Sequence, residues 1–298
     1  MKKNASLLDP ALIILAAVFW GSMGLFVRPL SARGFSSLQI TSARLTFGAL
    51  VFCGFLLLRD PKGFRIHRQH IPLFLGLGFA SVLFFTVCYF TAITMMPLST
   101  AAILLYTSPI WIMLMSVLFF HEKLSARKML ALALAFGGCV LVSGFSGGGL
   151  TAAGLLFGLG AGFGYGLYSI LGTIALRRYS PLTVTTWAFV LSAVGSWFIC
   201  RPADMLEKIA AAPSPVGLLL LFLLTALVTA VIPYLSYTQG LKTVEASRAG
   251  IIATVEPLVA TLIGVLVFAE PMTLSSCLGI ALILSAIVLL NTRKYKTG

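Results

Sequence analysis

The feature that most limits what this chain can fold into is an internal repeat with a constant spacing of 148 residues. Four residues of the first half recur at this spacing in the second half. They are Tyr89, Ser99, Pro109 and Glu122, which recur as Tyr237, Ser247, Pro257 and Glu270. No gap is needed between residues 89–142 and residues 237–290, so the repeat indicates a duplicated structural unit.

The composition of the chain places this duplicated unit in a lipid bilayer. Of the 298 residues, 59% are hydrophobic and only 10% are charged, and the mean hydropathy is +1.03. A water-soluble globular protein of this length needs far more polar surface. Because a bilayer core of roughly 30 Å requires about 20 residues per helix, ten helices would use about two thirds of the chain and leave only short connections.

Ten continuous hydrophobic runs are much longer than the roughly ten-residue strands of an outer-membrane barrel, so we interpret them as helices. The predicted spans are 11–30, 37–58, 72–92, 98–119, 126–145, 150–171, 182–200, 216–237, 246–269 and 273–291. Each copy of the repeat thus holds five spans, and a copy with an odd number of spans must insert upside down relative to the other. Inverted repeats of this kind are typical of secondary transporters.

The sequence therefore predicts an all-α polytopic membrane protein with ten transmembrane helices arranged as two inverted five-helix repeats. The predicted units are a first repeat, a glycine-rich linker and a second repeat, at residues 1–145, 146–149 and 150–298. We also predict a short amphipathic turn or helix at the membrane interface within residues 201–215, which contain three prolines and charges of both signs.

The distribution of basic residues predicts the orientation of the chain. The formal net charge is +13, but with a cytoplasmic N-terminus the outer loops hold only Arg33, Arg201 and Lys208. This asymmetry follows the positive-inside rule and predicts a multi-pass protein of the plasma (inner) membrane with both termini in the cytoplasm. It also removes the main argument for binding nucleic acid.

Glu256 is the sharpest candidate functional residue, because it lies deep inside the ninth predicted span. It is about 13 Å from the cytoplasmic end of that span at a rise of 1.5 Å per residue. A charged side chain at this depth costs roughly 2.5 to 3.5 kcal/mol, so it must face a partner or a water-filled cavity. Two interpretations stay open: a protonated acid that satisfies local backbone groups, or a group that binds solute or a proton.

Prolines beside polar side chains predict a helix break in each repeat. Pro257 lacks an N–H and is expected to leave a carbonyl near Ala253 free inside its helix. Its counterpart in the first repeat is Pro109, which follows Ser108. A broken helix near the midplane can present backbone dipoles to a solute.

Aromatic residues with a polar edge are the usual lining of a cavity for an organic molecule. Tryptophan and tyrosine also form belts at membrane interfaces, which is the alternative for part of this set. The predicted solute-binding residues are Trp20, Tyr89, Tyr106, Ser108, Tyr165, Tyr168, Tyr234, Tyr237 and Glu256.

Arg44 is a second charged residue at depth, about 10 Å below the outer surface in the second predicted span. Three alternatives stay open for its guanidinium: it snorkels to water, caps backbone carbonyls, or pairs with Glu256 at a similar depth. We consider Arg44 and Glu256 the candidates for coupling transport to an ion.

Glu122 and Glu270 are predicted to be structural. They lie just before Ser125 and Thr273, which are good N-cap residues, and the helix dipole favours a carboxylate near a helix N-terminus. We therefore assign structural cap roles to Glu122 and Glu270.

The absence of several known sequence motifs argues against a cofactor, a metal site or an enzyme. The chain has no Gly-x-x-x-x-Gly-Lys run, no His-Glu-x-x-His motif and no CxxC pair among its five cysteines. His67 and His70 lie on the basic connection 59–71 without a third ligand nearby. We expect this connection to be attracted to anionic lipid headgroups.

The sixth predicted span carries a flank of glycines between residues 154 and 166. Small residues let neighbouring helices approach closely in lipid, so close packing is one interpretation of this flank. The other is that the flank slides or bends during a conformational change.

The chain resembles the drug/metabolite transporter superfamily, in its ten-helix branch with two EamA-type repeats. The resemblance covers residues 10–292 and depends on short motifs in both repeats. They are Phe19-Trp20-Gly21-Ser22, Ala43-Arg44, Ser108-Pro109, His121-Glu122-Lys123-Leu124-Ser125, Glu256-Pro257 and Ala269-Glu270-Pro271-Met272-Thr273. One departure is Gly164-Tyr165-Gly166, where many relatives carry a tryptophan.

This resemblance implies a cavity between the two halves that opens alternately to either side of the membrane. We expect a monomer or homodimer that carries a small organic solute (an amino acid, a nucleotide-related metabolite or a xenobiotic), exporting it by proton antiport or substrate exchange. An uncoupled facilitator is the first alternative. A membrane-embedded enzyme is more remote, because only Arg44 and Glu256 lie deep in the spans. A scaffold subunit is also more remote, because it would usually carry a soluble domain or tail.

Overall fold

The computed structural model describes residues 8–144 and 151–291, and within these ranges every regular element is helical. The linker predicted at residues 146–149 lies outside the described residues. The first half contains α1 (Leu8–Gly21), α2 (Gly24–Ala32), α3 (Ser37–Arg59), α4 (Ile71–Leu75), α5 (Phe84–Met95), α6 (Leu98–Leu105), α7 (Ser108–Phe120) and α8 (Ala126–Ser143). The second half contains α9 (Ala152–Ala175), α10 (Pro181–Trp197), α11 (Pro202–Ala210), α12 (Pro215–Ala226), α13 (Ile232–Gly240), α14 (Ala246–Ile252), α15 (Val255–Phe268) and α16 (Leu274–Asn291). Two π-helical turns, Gly76–Leu83 and Leu227–Val231, continue α4 into α5 and α12 into α13.

Each predicted hydrophobic run coincides with helix in the structure. Eight helical stretches of the described chain are long and apolar enough to cross a membrane, and a ninth is added if α10 and α11, bent by 91°, form one span. The last predicted run corresponds to α16, a shorter apolar helix. The all-α polytopic class predicted from the sequence is confirmed.

The short helix α11 lies within the segment 201–215, where an amphipathic element was predicted. Its Asp204 accepts a hydrogen bond from the Gln39 side chain at 2.6 Å and pairs with Lys208 at 2.8 Å. Lys208 also donates to the carbonyl of Gly34 at 2.9 Å. The bonds from Lys208 and Gln39 hold the pKa of the Asp204 carboxyl below its usual value. These contacts fasten α11 to the N-terminal end of α3.

The duplication is visible in the backbone at the ends of α7 and α15. His121 and Ala269, which are 148 positions apart, both adopt the left-handed conformation, with φ of 52° and 54°. In each case the next N–H bonds back to the preceding turn: Glu122 to Ser116 at 3.3 Å and Glu270 to Gly264 at 3.0 Å. Both helices therefore end in the same closed turn.

Helices of the two repeats pack against each other in a pattern consistent with pseudo-twofold symmetry. The helix pair α1 and α13 corresponds to the pair α9 and α5. Equivalent helices of the two repeats also face each other, namely α3 with α10 and α8 with α16, and α7 of the fourth span faces α14 of the ninth, which is the equivalent span. Any space enclosed between these pairs is thus lined by both repeats.

Among the described helices, α8 and α16 form the most extensive pair, and glycines bring their backbones together. A Cβ on Gly138 would lie 2.7 Å from the carbonyl oxygen of Gly279, and a Cβ on Gly279 would lie 2.6 Å from that of Gly138. No side chain fits at this seam, so the last helices of the two repeats are in direct backbone contact.

The glycine flank of α9 is filled by the helices of the first repeat. A Cβ on Gly162 would lie 2.5 Å from the Thr107 hydroxyl and 2.8 Å from the Leu104 carbonyl oxygen. A Cβ on Gly164 would lie 3.0 Å from the backbone nitrogen of Phe85. These contacts agree with the packing interpretation of the flank; its sliding stays a prediction.

Candidate functional site

A cavity of ≈ 390 Å³ lies between the two repeats, bounded by the first, second, third and fourth spans of one and the sixth, eighth and ninth spans of the other. Its lining is mainly aromatic and aliphatic, with Arg44 and Glu256 as its charged residues. Concave apolar sites with a few polar groups are typical sites for organic ligands.

Most of the aromatic residues predicted from the sequence do line this cavity. The predicted residues found in its wall are Trp20, Arg44, Tyr89, Tyr106, Tyr165, Tyr234 and Glu256. Tyr168 and Tyr237 instead lie beneath it. Ser108 is buried in the first turn of α7 and does not reach the cavity.

Glu256 is positioned by the break between α14 and α15. Its N–H donates to the carbonyl of Ala253 at 3.0 Å, and the hydroxyl of Thr254 donates to the carbonyl of Ile251 at 2.7 Å. The Glu256 carboxylate accepts a hydrogen bond from the Tyr165 hydroxyl at 3.2 Å, so its partner is a side chain of α9. Of the two interpretations left open by the sequence, this contact favours a group that faces the cavity.

The helix breaks themselves lie before the prolines. α6 and α7 are separated by Tyr106 and Thr107, and Pro109 and Pro257 occupy the first turns of α7 and α15. A proline in the first turn lacks an N–H that would have no helical partner in any case. The expectation of a free carbonyl near Ala253 is therefore corrected: that carbonyl accepts the N–H of Glu256.

The first span is interrupted where it passes Glu256. α1 and α2 are separated at residues 22–23. A Cβ on Gly21 would lie 2.6 Å from the carbonyl oxygen of Glu256 and 2.7 Å from the Cβ of Val259. Glycine at this position thus lets the two interrupted helices meet at the cavity wall.

Arg44 projects from α3 and is 92% buried, with 8% of its surface exposed. One of its terminal nitrogens contacts the sulfur of Met23 at 3.3 Å, and its Nε has no hydrogen-bond partner among the described residues. Of the three alternatives left open for Arg44, a pair with Glu256 is not formed in the described structure, where the ion pairs within 4 Å involve other residues. Arg44 and Glu256 thus line one cavity without forming a direct ion pair.

An aromatic layer closes the cavity on one side. The Trp20 ring contacts the rings of Tyr234 and Tyr237, each at 5.3 Å between centroids. Below it, Tyr168 bonds to Thr238 at 2.8 Å and Tyr237 bonds to Ser169 at 2.7 Å. The space inside this layer is ≈ 10 Å³, too small for an organic solute.

Beyond the aromatic layer lies a polar group that we call the inner cluster, formed by Glu122, Lys128, Glu245 and Ser247. Lys128 pairs with Glu122 at 3.1 Å and with Glu245 at 2.7 Å, and it donates to the Ser247 hydroxyl at 3.0 Å. Ser247 also donates to Glu122. These bonds connect the first repeat, through α8, to the start of α14 in the second.

The glutamates predicted as caps have other partners in the structure. The cap hydroxyls belong to Ser125, which accepts from the Lys128 N–H at 3.2 Å, and Thr273, which accepts from the Ser276 N–H at 3.1 Å. The carboxylate of Glu270 pairs with Arg28 at 2.5 Å on the exposed surface. In the described structure both carboxylates thus pair with cationic side chains, and a structural role for Glu122 and Glu270 stays a prediction.

The two ends of the cavity differ. Its lining extends from Glu256 to Leu98, which is 62% exposed, and this defines the open end of the bundle near residues 33–36 and 96–97. The inner cluster lies at the opposite, closed end near residues 121–125 and 241–245. The cavity lining reaches the first of these ends and includes no residue of the inner cluster.

Several cavity residues were missed in the sequence. Met23, Thr41, Phe85 and Thr86 line the cavity, and Phe85 contacts Tyr165 at 5.5 Å between ring centroids. In an apolar span these residues look like any lipid-facing or packing residue. Their only signal was their proximity in sequence to Trp20, Arg44 and Tyr89. No group of three or more metal-ligating side chains occurs in the described ranges.

A polytopic helical bundle with a cavity between two inverted repeats has the architecture of a membrane transport protein. The chain belongs to the EamA-like transporter family, whose model matches residues 10–144 and 152–292. It is therefore a multi-pass membrane transporter and not an enzyme, and its two halves each match the family.

Similar proteins agree with this class. A protein of Archaeoglobus fulgidus named an uncharacterized transporter is 31% identical over 280 residues, covering 94% of both chains. The uncharacterized transporter YwfM of Bacillus subtilis is 28% identical over 296 residues, covering 96% of this chain and 95% of its own. The pseudopaline exporter CntI of Pseudomonas aeruginosa is 31% identical over 170 residues, which are 57% of this chain and 56% of that protein.

A solved crystal structure has the same fold. It superposes with a TM-score of 0.77 and 20% sequence identity, covering 95% of this chain and 96% of the other. The likeness extends over nearly the whole length of both chains.

Proposed function

We propose that this protein carries a small organic zwitterion, with a carboxylate and a protonated amine, across the plasma membrane by alternating access. The observation that carries the proposal is the presence of two ionisable side chains of opposite sign, Arg44 and Glu256, in the wall of one aromatic cavity, where they form no ion pair with each other. A buried guanidinium whose Nε has no hydrogen-bond partner is costly, and a carboxylate of the solute would satisfy it.

The remaining walls of the cavity fit an organic body between these charges. Trp20, Tyr165 and Tyr234 offer ring faces with polar edges, and a volume of ≈ 390 Å³ suits a small metabolite. Tyr165 orients the Glu256 carboxylate, which then has a second oxygen for the amine of the solute. Among the proposed solute classes, amino acids and their derivatives match this charge pattern best.

We further propose that the one-sided cavity is the outward-facing state, with the inner cluster and the aromatic layer closed toward the cytoplasm. The positive-inside rule supports this orientation, with both termini in the cytoplasm. Export by proton antiport or substrate exchange is the proposed mode, and the name of the related pseudopaline exporter is consistent with it.

The proposal is tested with three matched probes in proteoliposome counterflow. Phenylalanine carries both charged groups, phenethylamine lacks the carboxylate, and 3-phenylpropionate lacks the amine. We expect preference for phenylalanine, loss of discrimination against phenethylamine in Arg44→Gln, and loss of discrimination against 3-phenylpropionate in Glu256→Gln. Because hydrogen bonds to charged groups contribute about 1.5 to 3 kcal/mol, each loss should be about tenfold or more.

One result would contradict the role of Arg44 in solute selection, and another would contradict proton coupling. If Arg44→Gln transports all three probes as the wild type does, the guanidinium does not select the solute. Coupling is tested separately by imposing a pH gradient across the vesicles. Equal rates with and without the gradient would indicate the uncoupled facilitator, or exchange without protons, while the transporter class would stand.

A further inference from the structure

A second cavity, of ≈ 570 Å³, lies outside the solute pathway at the closed end of the bundle. It forms where the connection between α3 and α4 meets the turn between α9 and α10. Its lining includes four basic side chains and one carboxylate, and we call it the basic cavity: Lys62, Arg65, His67, Arg178 and Asp60. The solute mechanism uses none of these residues.

The cations of the basic cavity are not neutralised by the protein. The side chains of Lys62, Arg65 and Arg178 form no ion pair or hydrogen bond with the described residues. Asp60 can balance one of them at most. The cavity therefore keeps a net positive charge that an anionic ligand can balance.

The start of α10 adds to this positive potential. Ser180 caps the helix by accepting the N–H of Thr183 at 3.1 Å, and both residues line the basic cavity. α10 has 17 residues, so its N-terminus carries a full helix dipole. Phosphate groups bind where such an N-terminus and basic side chains converge.

Tyr179 holds the wall of the cavity in place. Its hydroxyl accepts the backbone N–H of His67 at 3.0 Å and bonds to the Nδ1 of His70 at 2.7 Å. Its ring packs on Phe74 with 5.1 Å between centroids. The basic connection is thus fixed against the α9–α10 turn rather than hanging free in solvent.

The basic cavity begins where the apolar surface of the bundle ends. Leu57 and Leu58, in the last turn of α3, are 59% and 88% exposed, and Asp60 follows two residues after Leu58. Exposed leucines on a membrane-spanning helix face acyl chains, so the cavity lies at headgroup level.

We infer that the basic cavity binds the phosphate of an anionic phospholipid headgroup. Arg65 and Arg178 supply bidentate donors, Lys62 supplies a point charge, and the N-terminus of α10 supplies the dipole. The acyl chains of the lipid lie along the apolar end of α3. Basic pockets at the ends of membrane helices recognise anionic headgroups in this way.

The test measures lipid retained by the full-length protein in detergent, by native mass spectrometry, with phosphatidylglycerol and phosphatidylcholine as probes. We expect preferential binding of phosphatidylglycerol, and a loss of affinity of about tenfold or more in the double variant Arg65→Gln with Arg178→Gln. The matched control is Arg68→Gln with Arg177→Gln, which removes the same charge from the same two segments without touching the cavity. Its affinity should stay within about twofold of the wild type.

Each other outcome overturns the inference. Unchanged binding in the first double variant excludes the cavity, and an equal loss in both double variants indicates general attraction to a basic surface. If glycerophosphoglycerol, the headgroup without acyl chains, binds as tightly as the lipid, the site takes a soluble phosphate. Should the double variant not fold, the single variant Lys62→Gln repeats the comparison against Arg68→Gln.

Discussion

Tyr165 shows how a single hydroxyl can tune the proposed solute site. It donates to Glu256 at 3.2 Å, whereas Tyr168, three residues further along α9, bonds to Thr238 beneath the cavity. Both tyrosines are on the same helix, but the Tyr165 hydroxyl bonds to a cavity residue and the Tyr168 hydroxyl bonds to a residue of the packed core.

We predict that Tyr165→Phe weakens transport of a zwitterionic solute by a few-fold to about tenfold, because one bond to a charged group is lost. Tyr168→Phe is the control and should mainly lower stability, by about 1 kcal/mol, with little change in solute affinity. The measurements are counterflow for transport and thermal unfolding in detergent for stability. Equal loss of transport in both variants would contradict the assignment.

At the level of residues, the sequence could single out the charges but not their surroundings. Arg44 and Glu256 were recognisable because a charge inside a hydrophobic run is costly. Tyr168 and Tyr237 could not be separated from the cavity tyrosines, since depth differs by only one helical turn. The partners of Glu122 could not be predicted either, because Ser247 comes from the other repeat.

The interrupted first span is an element in which close packing depends on one glycine. A methyl group on Gly21 would overlap the Glu256 carbonyl, whereas a Cβ on Gly24 would meet only the edge of Phe268, at 3.9 Å. The two glycines border the same interruption, so they form a matched pair.

We predict that Gly21→Ala costs about 1 to 3 kcal/mol through overpacking and also reduces transport. Gly24→Ala should be tolerated to within about 1 kcal/mol. Thermal unfolding of the two purified variants provides the comparison. Equal stability would show that the first span can shift away from Glu256.

A second matched pair lies on α9. Gly162→Ala should lower stability by about 1 to 3 kcal/mol, since its methyl group would meet Thr107 and Leu104 at the break of the fourth span. Gly172→Ala should be near neutral, because its Cβ meets only Leu241, at 3.7 Å. Thermal unfolding in detergent compares the stability of the two variants. Equal stability would mean that the neighbouring helices can move to accommodate a methyl group at Gly162.

Among the elements, the hydrophobic runs were predictable and their interruptions only in part. Prolines gave a signal for the breaks in the fourth and ninth spans. The break at residues 22–23 had no comparable signal, because it lies where the first span contacts a helix distant in the sequence. Pro233 follows the π-helical turn Leu227–Val231, but a proline alone does not predict π-helical geometry. The ionic partners of Glu122 and Glu270 depend on the same kind of distant contact.

At the scale of the whole molecule, the repeat relates the two ends of the bundle. Ser247 and Glu122 bond to each other at the closed end, and their counterparts at a spacing of 148 residues are Ser99 and Glu270. If the halves exchange roles during transport, Ser99 and Glu270 should form the equivalent contact when the other end closes.

We predict opposite effects of two matched variants on the conformational equilibrium. Ser247→Ala removes bonds to Glu122 and Lys128 and should increase hydrogen exchange at the closed end, around residues 241–250. Ser99→Ala should leave that end protected and favour the outward-facing state. A shift in the same direction for both variants would argue against exchange of roles between the repeats.

The glycine seam between α8 and α16 limits how such an exchange can occur. One helix comes from each half, and their backbones are in contact at Gly138 and Gly279 without intervening side chains. We therefore expect this edge to act as a hinge between the halves. We expect the displacement during a transport cycle to be smallest beside Gly138 and Gly279 and to grow with distance from them. Spectroscopic labels on α3 and α10, at the opposite edge of the bundle, should report the largest change in distance.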